Sequence, residues 1–242
     1  MTIRCLLMDI EGTITSIAFV REVLFPYAKS RLASFLNTHR EDYTVRKSAA
    51  ACLATAVAEN GGHANEAALP AILAKWIDED RKHPGLKVLQ GLIWDEGYRT
   101  GAFSPELYED VLPALLQWQE QDIRLALYSS GSEHAQRLLM AHTTEGDLSR
   151  LFVEFFDTRV GSKNDPGSYA KIAGKLGLPP AAILFLSDSE TELDAAAAAA
   201  LKTLQIVRPG TPVGSRHPAR TSFAGLDPND SFDRSSCRPQ PK

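Results

Sequence analysis

Four short segments of this chain carry side chains able to work on phosphate. Asp9 and Glu11 stand in Asp9-Ile10-Glu11-Gly12-Thr13, and hydroxyls gather in Ser129-Ser130-Gly131-Ser132. Lys163 lies in Gly161-Ser162-Lys163-Asn164-Asp165-Pro166, and Ser187-Asp188 adds a late carboxylate. A carboxylate such as Asp9 can act as a covalent nucleophile, forming an aspartyl-phosphate. Carboxylates also bind Mg²⁺, which takes a few of them together with water and phosphate oxygens. Glu11 could donate and accept the proton of a leaving or attacking oxygen. A helix N-terminus after serines and a glycine offers N–H groups to an anion, and a lysine ammonium would neutralise charge on phosphate and nucleophile.

Each segment alone also has a plain structural reading. Asp9 and Glu11 could cap a helix, Ser130 and Glu133 have capping-box spacing, and most loop lysines are merely solvated. Glu190 and Asp194 suit the positive end of a helix dipole, while Glu192, one turn beyond Asp188, is a candidate partner for it. Placement separates the readings. Ile3 to Met8, Ile123 to Tyr128 and Ala182 to Leu186 are apolar runs that stop at these polar residues. In an open α/β sheet, ligands sit beyond the carboxyl ends of parallel strands. The segments are therefore expected to converge on one phosphoryl-transfer site.

The elements that must hold them are legible in outline. After the first strand, residues 16 to 110 show helical signals and no convincing strand pair. Ile17 to Leu36 has helix-like spacing with a kink or break at Pro26, and Val45 to Glu59 stops at Asn60-Gly61-Gly62. Asn65 to Lys82 resumes the pattern with Pro70 in a first turn, and Leu86 to Glu96 adds a turn or two. A helix over Glu106–Glu120 follows. Strands at Ile123–Tyr128, Leu151–Phe156, Ala182–Leu186 and Thr203–Val207 then alternate with helices at Glu133–His142, Ser168–Leu176 and Glu190–Leu201. Such alternation implies a parallel sheet with helices on its faces. We expect an α/β, Rossmann-like core formed by 1–15 and 111–226, a helical cap at 16–110, and a disordered tail at 227–242. A single uninterrupted α/β domain would have to absorb about ninety helical residues between two strands.

Composition sets the remaining bounds. The 242 residues are 44% hydrophobic and 23% charged, with a net charge of -4, which argues against nucleic-acid and anionic-membrane partners. No apolar stretch approaches a membrane span. Met1-Thr2-Ile3-Arg4 leads straight into a strand, so no signal peptide is expected. Cys5, Cys52 and Cys237 give neither a disulfide framework nor a CxxC metal spacing, and the cytoplasm is the expected compartment. With no heptad or exposed apolar repeat, a monomer is expected.

The four segments together resemble the haloacid dehalogenase superfamily. The stretch Asp9 to Val20, with Leu24-Phe25-Pro26-Tyr27-Ala28, Leu89-Gln90-Gly91-Leu92-Ile93-Trp94, Gly97-Tyr98, Tyr128-Ser129-Ser130-Gly131-Ser132 and Phe185-Leu186-Ser187-Asp188, is similar to the enolase-phosphatase (acireductone synthase) family of methionine salvage. Glu11 in place of a second aspartate, with the Trp94 and Gly97-Tyr98 segment, is the most specific part. Ile14 departs from the family by standing where a further threonine is usual. The resemblance implies one Mg²⁺ per subunit, with Asp9, Glu11 and Asp188 as metal-binding positions and Glu11 contributing its backbone carbonyl. It implies Asp9 and Glu11 as catalytic residues, and Ser129, Ser130 and Lys163 as ligands of the substrate phosphate. The substrate implied is a small phosphorylated diketone, 2,3-diketo-5-methylthiopentyl-1-phosphate, which would be enolised and then dephosphorylated. The cap would close over the methylthio end. Trp94, Tyr98 and Phe19 are candidates for that contact, although aromatic residues in helices are more often core. Rival readings are a phosphatase acting on another small phosphomonoester, a catalytically silent phosphate-binding protein, and a dehalogenase. The first would use the same four segments; intact Asp9, Lys163 and Asp188 argue against the second, and the paired acids against the third.

Overall fold

Five apolar runs and one short late strand assemble into a single parallel sheet. In a computed structural model, which describes residues 2–59 and 63–230, these are β1 (Cys5–Met8), β2 (Arg124–Tyr128), β3 (Phe152–Phe156), β4 (Ile183–Ser187), β5 (Lys202–Ile206) and β6 (Ala219–Arg220). Their order is β3-β2-β1-β4-β5-β6, with every neighbouring pair parallel. β1 is central, so Met8 pairs with Leu127 on one side and Leu186 on the other. The chain is α/β, with a Rossmann-like core.

Burial on both faces explains why the strands read as unbroken apolar runs. Alternate side chains point to opposite faces. Leu6, Met8, Leu125, Leu127, Leu184 and Leu186 pack on one side with helices α5 (Val111–Glu120) and α6 (Glu133–Ala141). Cys5, Leu7, Ala126, Tyr128, Ile183 and Phe185 pack on the other with α7 (Pro166–Leu176) and α8 (Glu190–Ala198). β6 was not expected from the sequence, because two residues are too few to show a period. Phe223 and Leu226 join the core, and Trp118 Nε1 donates to Leu226 O at 3.1 Å. Asn229 Oδ1 then accepts from Ile3 N–H at 2.7 Å, so residues 227–230 are tied to the sheet; the remainder of the expected tail, 231–242, and Cys237 lie outside the described residues.

The chain divides into two units, Met1–Ile17 with Pro105–Lys242, and Ala18–Ser104. Within the second, a π-helical stretch (Phe19–Leu24) runs directly into α1 (Phe25–Thr38), with Pro26 at the junction, where the change of helical register accommodates a residue that lacks an N–H. Next come α2 (Tyr43–Glu59), a 3₁₀ turn (Glu66–Ala68), α3 (Leu69–Asp78) and α4 (Pro84–Arg99). The expected stop at Asn60-Gly61-Gly62 lies outside the described residues. α4 is much longer than the turn or two expected. Trp94 Nε1 donates to Leu24 O at 2.8 Å, its ring stacks on Phe25, and Phe103 meets Tyr27 and Tyr98 edge-on. Trp94 and Tyr98 are thus core side chains of this unit.

Candidate active site

β1 delivers Asp9 to the carboxyl edge of the sheet, where its N–H donates to Leu186 O of β4 at 2.9 Å. The chain turns at once. Thr13, Ile14 and Thr15 N–H groups all converge on Ile10 O, and Gly12 N–H donates to Thr15 O. Gly12 has φ +79, a left-handed conformation that glycine adopts without strain. A Cβ there would also stand 2.6 Å from Asp188 Oδ2, so the close approach of the Asp188 carboxylate requires glycine as well. Glu11 lies in this turn, bridged by its main chain to Thr15.

Lys163 arrives from the loop between β3 and α7. Two phenols fix that loop, Tyr128 donating to Gly161 O at 3.0 Å and Tyr169 to Lys163 O at 2.7 Å. Asp165 caps α7 by accepting from Gly167 N–H, with Pro166 in the first turn. The sequence Asn164-Asp165-Pro166-Gly167 is thus an ordinary cap followed by proline.

The Lys163 ammonium is buried between two carboxylates, 2.5 Å from Asp9 Oδ1 and 2.6 Å from Glu192 Oε2. Burial alone would lower its pKa, but Asp9 and Glu192 outweigh that and raise it, so the ammonium stays charged. Glu192 also accepts from Ser187 Oγ at 3.0 Å. It is therefore a direct partner of the lysine, closer to the site than sequence spacing suggested. Burial pushes its carboxyl up to about 7, aided by the Asp9 charge and opposed by Lys163. Burial and the Asp9 charge likewise push Asp188 up to about 6. Glu190 and Asp194 face away, to Arg216 and His217.

Ser129 and Ser130 follow β2, whose Leu127 pairs with Met8, the residue before Asp9. Ser129 is buried, and its Oγ accepts from Gly131 N–H at 3.1 Å, bracing the turn. The helix start differs from expectation. Ser132, not Ser130, caps α6, and Glu133 N–H is taken by Asp157 Oδ2. That N–H is therefore not available to an anion.

Three carboxylates around one ammonium leave the pocket with an excess of negative charge in a buried setting. Burial first and the Asp9 charge second raise the Asp188 carboxyl, and a divalent cation would favour its charged form. Among the described residues no cluster of three or more His, Cys, Asp or Glu forms a ready ligand set. Two carboxylates, a main-chain carbonyl and water fit Mg²⁺, which keeps several waters, better than an ion needing a full side-chain cage. Sequence reasoning missed Arg208, whose Nε donates to Thr13 O at 3.0 Å, and Gln205, whose Nε2 donates to Asp188 O at 2.9 Å. The available signal was the run Thr203–Val207 stopping on Arg208, the same pattern that marked the other strands.

A model of haloacid dehalogenase-like hydrolases matches residues 3–200. The chain is 50% identical to "Enolase-phosphatase E1" of Methylococcus capsulatus over 93% of its own length and 98% of that protein's. It is 49% identical to the protein of the same name from Thioalkalivibrio sulfidiphilus, over 92% and 98%. Among solved structures it is similar to the UTR4 protein of Saccharomyces cerevisiae, with a TM-score of 0.77 and 31% identity over 93% of this chain and all of that one. CbbY of Rhodobacter sphaeroides, solved with phosphate, shares the fold with a TM-score of 0.60 at 17% identity, over 93% of this chain and 96% of that one. A central strand ending on a carboxylate, a lysine held between carboxylates and these likenesses agree: the chain belongs to the enolase-phosphatase E1 family of haloacid dehalogenase-like hydrolases.

Proposed function

We propose that the protein is an Mg²⁺-dependent enolase-phosphatase of methionine salvage. It enolises 2,3-diketo-5-methylthiopentyl-1-phosphate and then hydrolyses the phosphate, giving the acireductone 1,2-dihydroxy-3-keto-5-methylthiopentene. The observation that carries the catalytic reading is the Lys163 ammonium seated between Asp9 and Glu192 with Asp188 beside the same turn.

Asp9, Asp188 and the Glu11 carbonyl would hold Mg²⁺, which when bound supplies Lewis-acid charge to the developing enolate and phosphate oxygens. In the first stage the Glu11 carboxylate removes a proton from the carbon next to a carbonyl and returns it to the carbonyl oxygen. Its extra methylene, relative to aspartate, gives it the reach for a carbon-bound proton. In the second stage Lys163 holds Asp9 Oδ1, which leaves Oδ2 to attack phosphorus. A bond forms from Asp9 to phosphorus as the bond from phosphorus to the substrate oxygen breaks, and Glu11, which takes up a proton from solvent between the two stages, gives that oxygen its proton. Glu11 then takes a proton from water, whose oxygen attacks the phosphorus and releases Asp9 and inorganic phosphate. Ser129, Ser130 and Lys163 hold the phosphate oxygens throughout.

The purified protein, mixed with Mg²⁺ and the diketo phosphate, should form an ultraviolet-absorbing enol before inorganic phosphate appears. Phosphate release with no such intermediate would identify a simple phosphatase instead.

A further inference from the structure

Arg208 lies beyond residue 200, where the hydrolase match stops, yet its side chain is buried against the nucleophile turn. It follows β5 and extends beneath the turn that starts at Asp9. Nη1 is 2.8 Å from each carboxylate oxygen of Asp110, while Nε donates to Thr13 O at 3.0 Å. The guanidinium lies over the Tyr108 ring, 4.2 Å from its centroid, and 5.0 Å from that of Phe223. Asp110 is itself fixed by Ser222 Oγ and by Phe223 N–H.

Thr13 is the link between the two halves of the site. Its carbonyl is held by Arg208, and its Oγ1 accepts from Asp188 N–H at 3.1 Å. Three residues earlier on the same strand end, Gln205 holds Asp188 O. β5 therefore grips both the turn bearing Asp9 and Glu11 and the backbone of Asp188. A buried ion pair alone is weak grounds for a stabilising role. The contact to Thr13 O needs a fork that serves two acceptors at once, which arginine has and lysine lacks.

We propose that Arg208 is a positioning residue for the reaction. Acting through Thr13, it sets the spacing between Asp9 and Asp188, and with it the place where cation and phosphate meet. The inference rests on Asp9 and Asp188 as the metal-binding pair. Small misplacements of such groups cost about 10²-fold in rate.

The test compares Arg208→Lys, Thr13→Val, Thr13→Ser and the Arg208→Lys/Thr13→Val double variant. A control, Leu115→Ala, removes core volume from helix α5 without altering a residue of either loop. Three readouts are taken: thermal midpoint, kcat and KM for para-nitrophenyl phosphate with Mg²⁺, and Mn²⁺ binding to the substrate-free protein from the free-ion EPR signal. Arg208→Lys should lower kcat by about 10- to 100-fold with KM within about threefold, and weaken Mn²⁺ binding by about fivefold or more. Thr13→Val should match it, Thr13→Ser should stay within about threefold of the parent, and the double variant should be little worse than either single change. Leu115→Ala should lose thermal midpoint while keeping kcat and Mn²⁺ affinity. Arg208→Lys within about twofold of the parent in both kcat and Mn²⁺ affinity, or no worse than Leu115→Ala, overturns the proposal. If Arg208→Lys does not fold, Asp110→Asn, which loosens the same guanidinium, is read against the same limits. A parent that hydrolyses no aryl phosphate would count against the catalytic reading, and Mn²⁺ binding would still decide the positioning role.

Discussion

Glu11 and Lys163 are the side chains whose chemistry separates this site from a bare carboxylate pair. Glu11→Asp shortens the acid by one methylene, which still reaches an oxygen but not a carbon-bound proton. We expect enolisation to fall by at least about tenfold while phosphate release from an aryl phosphate stays within a few-fold. The ratio of enol absorbance to phosphate released measures this, and an unchanged ratio ends the idea. Lys163→Met removes the charge that orients Asp9 and leaves two buried carboxylates facing each other. Its kcat/KM should drop by about 10²- to 10³-fold, read with the same aryl phosphate. At this scale Asp9, Ser129, Lys163 and Asp188 were legible because each follows a recognisable run or stands in a loop between runs. The Glu192 contact to Lys163 was not. Helical spacing sets Glu192 on the Asp188 side, but says nothing about which lysine, 29 positions earlier in the numbering, will reach it.

Elements were legible where periodicity and length agreed, and misread where a packing demand mimicked a stop signal. α4 shows why. The expected helix stops at Glu96, before Gly97, yet Gly97 is buried inside the helix. A Cβ on Gly97 would stand 2.6 Å from the Phe103 ring and 2.9 Å from the Tyr27 ring, so the aromatic cluster, not a turn, demands glycine. Gly97→Ala should therefore destabilise by about 1–3 kcal/mol through overpacking, although alanine is the better helix former by about 1 kcal/mol. Urea denaturation checks the sign; a stabilised variant would show that the rings yield. Pro26, read as a kink or break, ends neither helix. It marks the junction of π- and α-helical turns, and the chain continues through it. The loops were the least legible elements, because hydrogen bonds such as Tyr169 to Lys163 O are made by tertiary proximity.

For the molecule as a whole, stability should follow two carboxylates outside the catalytic cleft. Burial works to raise Asp110, but Phe223 N–H and Arg208 outweigh it and lower its pKa; in Asp157, Arg159 and the Glu133 N–H do the same. Both groups hold a proton less readily folded than unfolded, so unfolding takes up protons in acid. Their contribution is fully present above the ordinary aspartate range, about pH 4, and is lost as the pH falls through the lowered values. Asp110→Asn should flatten the acid side of a thermal-midpoint profile relative to the parent; an unaltered slope would exclude Asp110 from it. No helix among the described residues is long and apolar enough to cross a membrane. The parallel sheet was legible from alternating runs, but its order was not, since nothing local tells β1 that its neighbours are β2 and β4. That order has a consequence during synthesis. The first strand leaves the ribosome with neither neighbour yet translated, and at about 5–20 residues per second β2, the first of them, follows roughly 6–24 s later. Until then the segment Cys5–Met8 is an unshielded apolar ribbon, and the growing polypeptide depends on chaperones or on its own collapse to keep that ribbon out of foreign sheets.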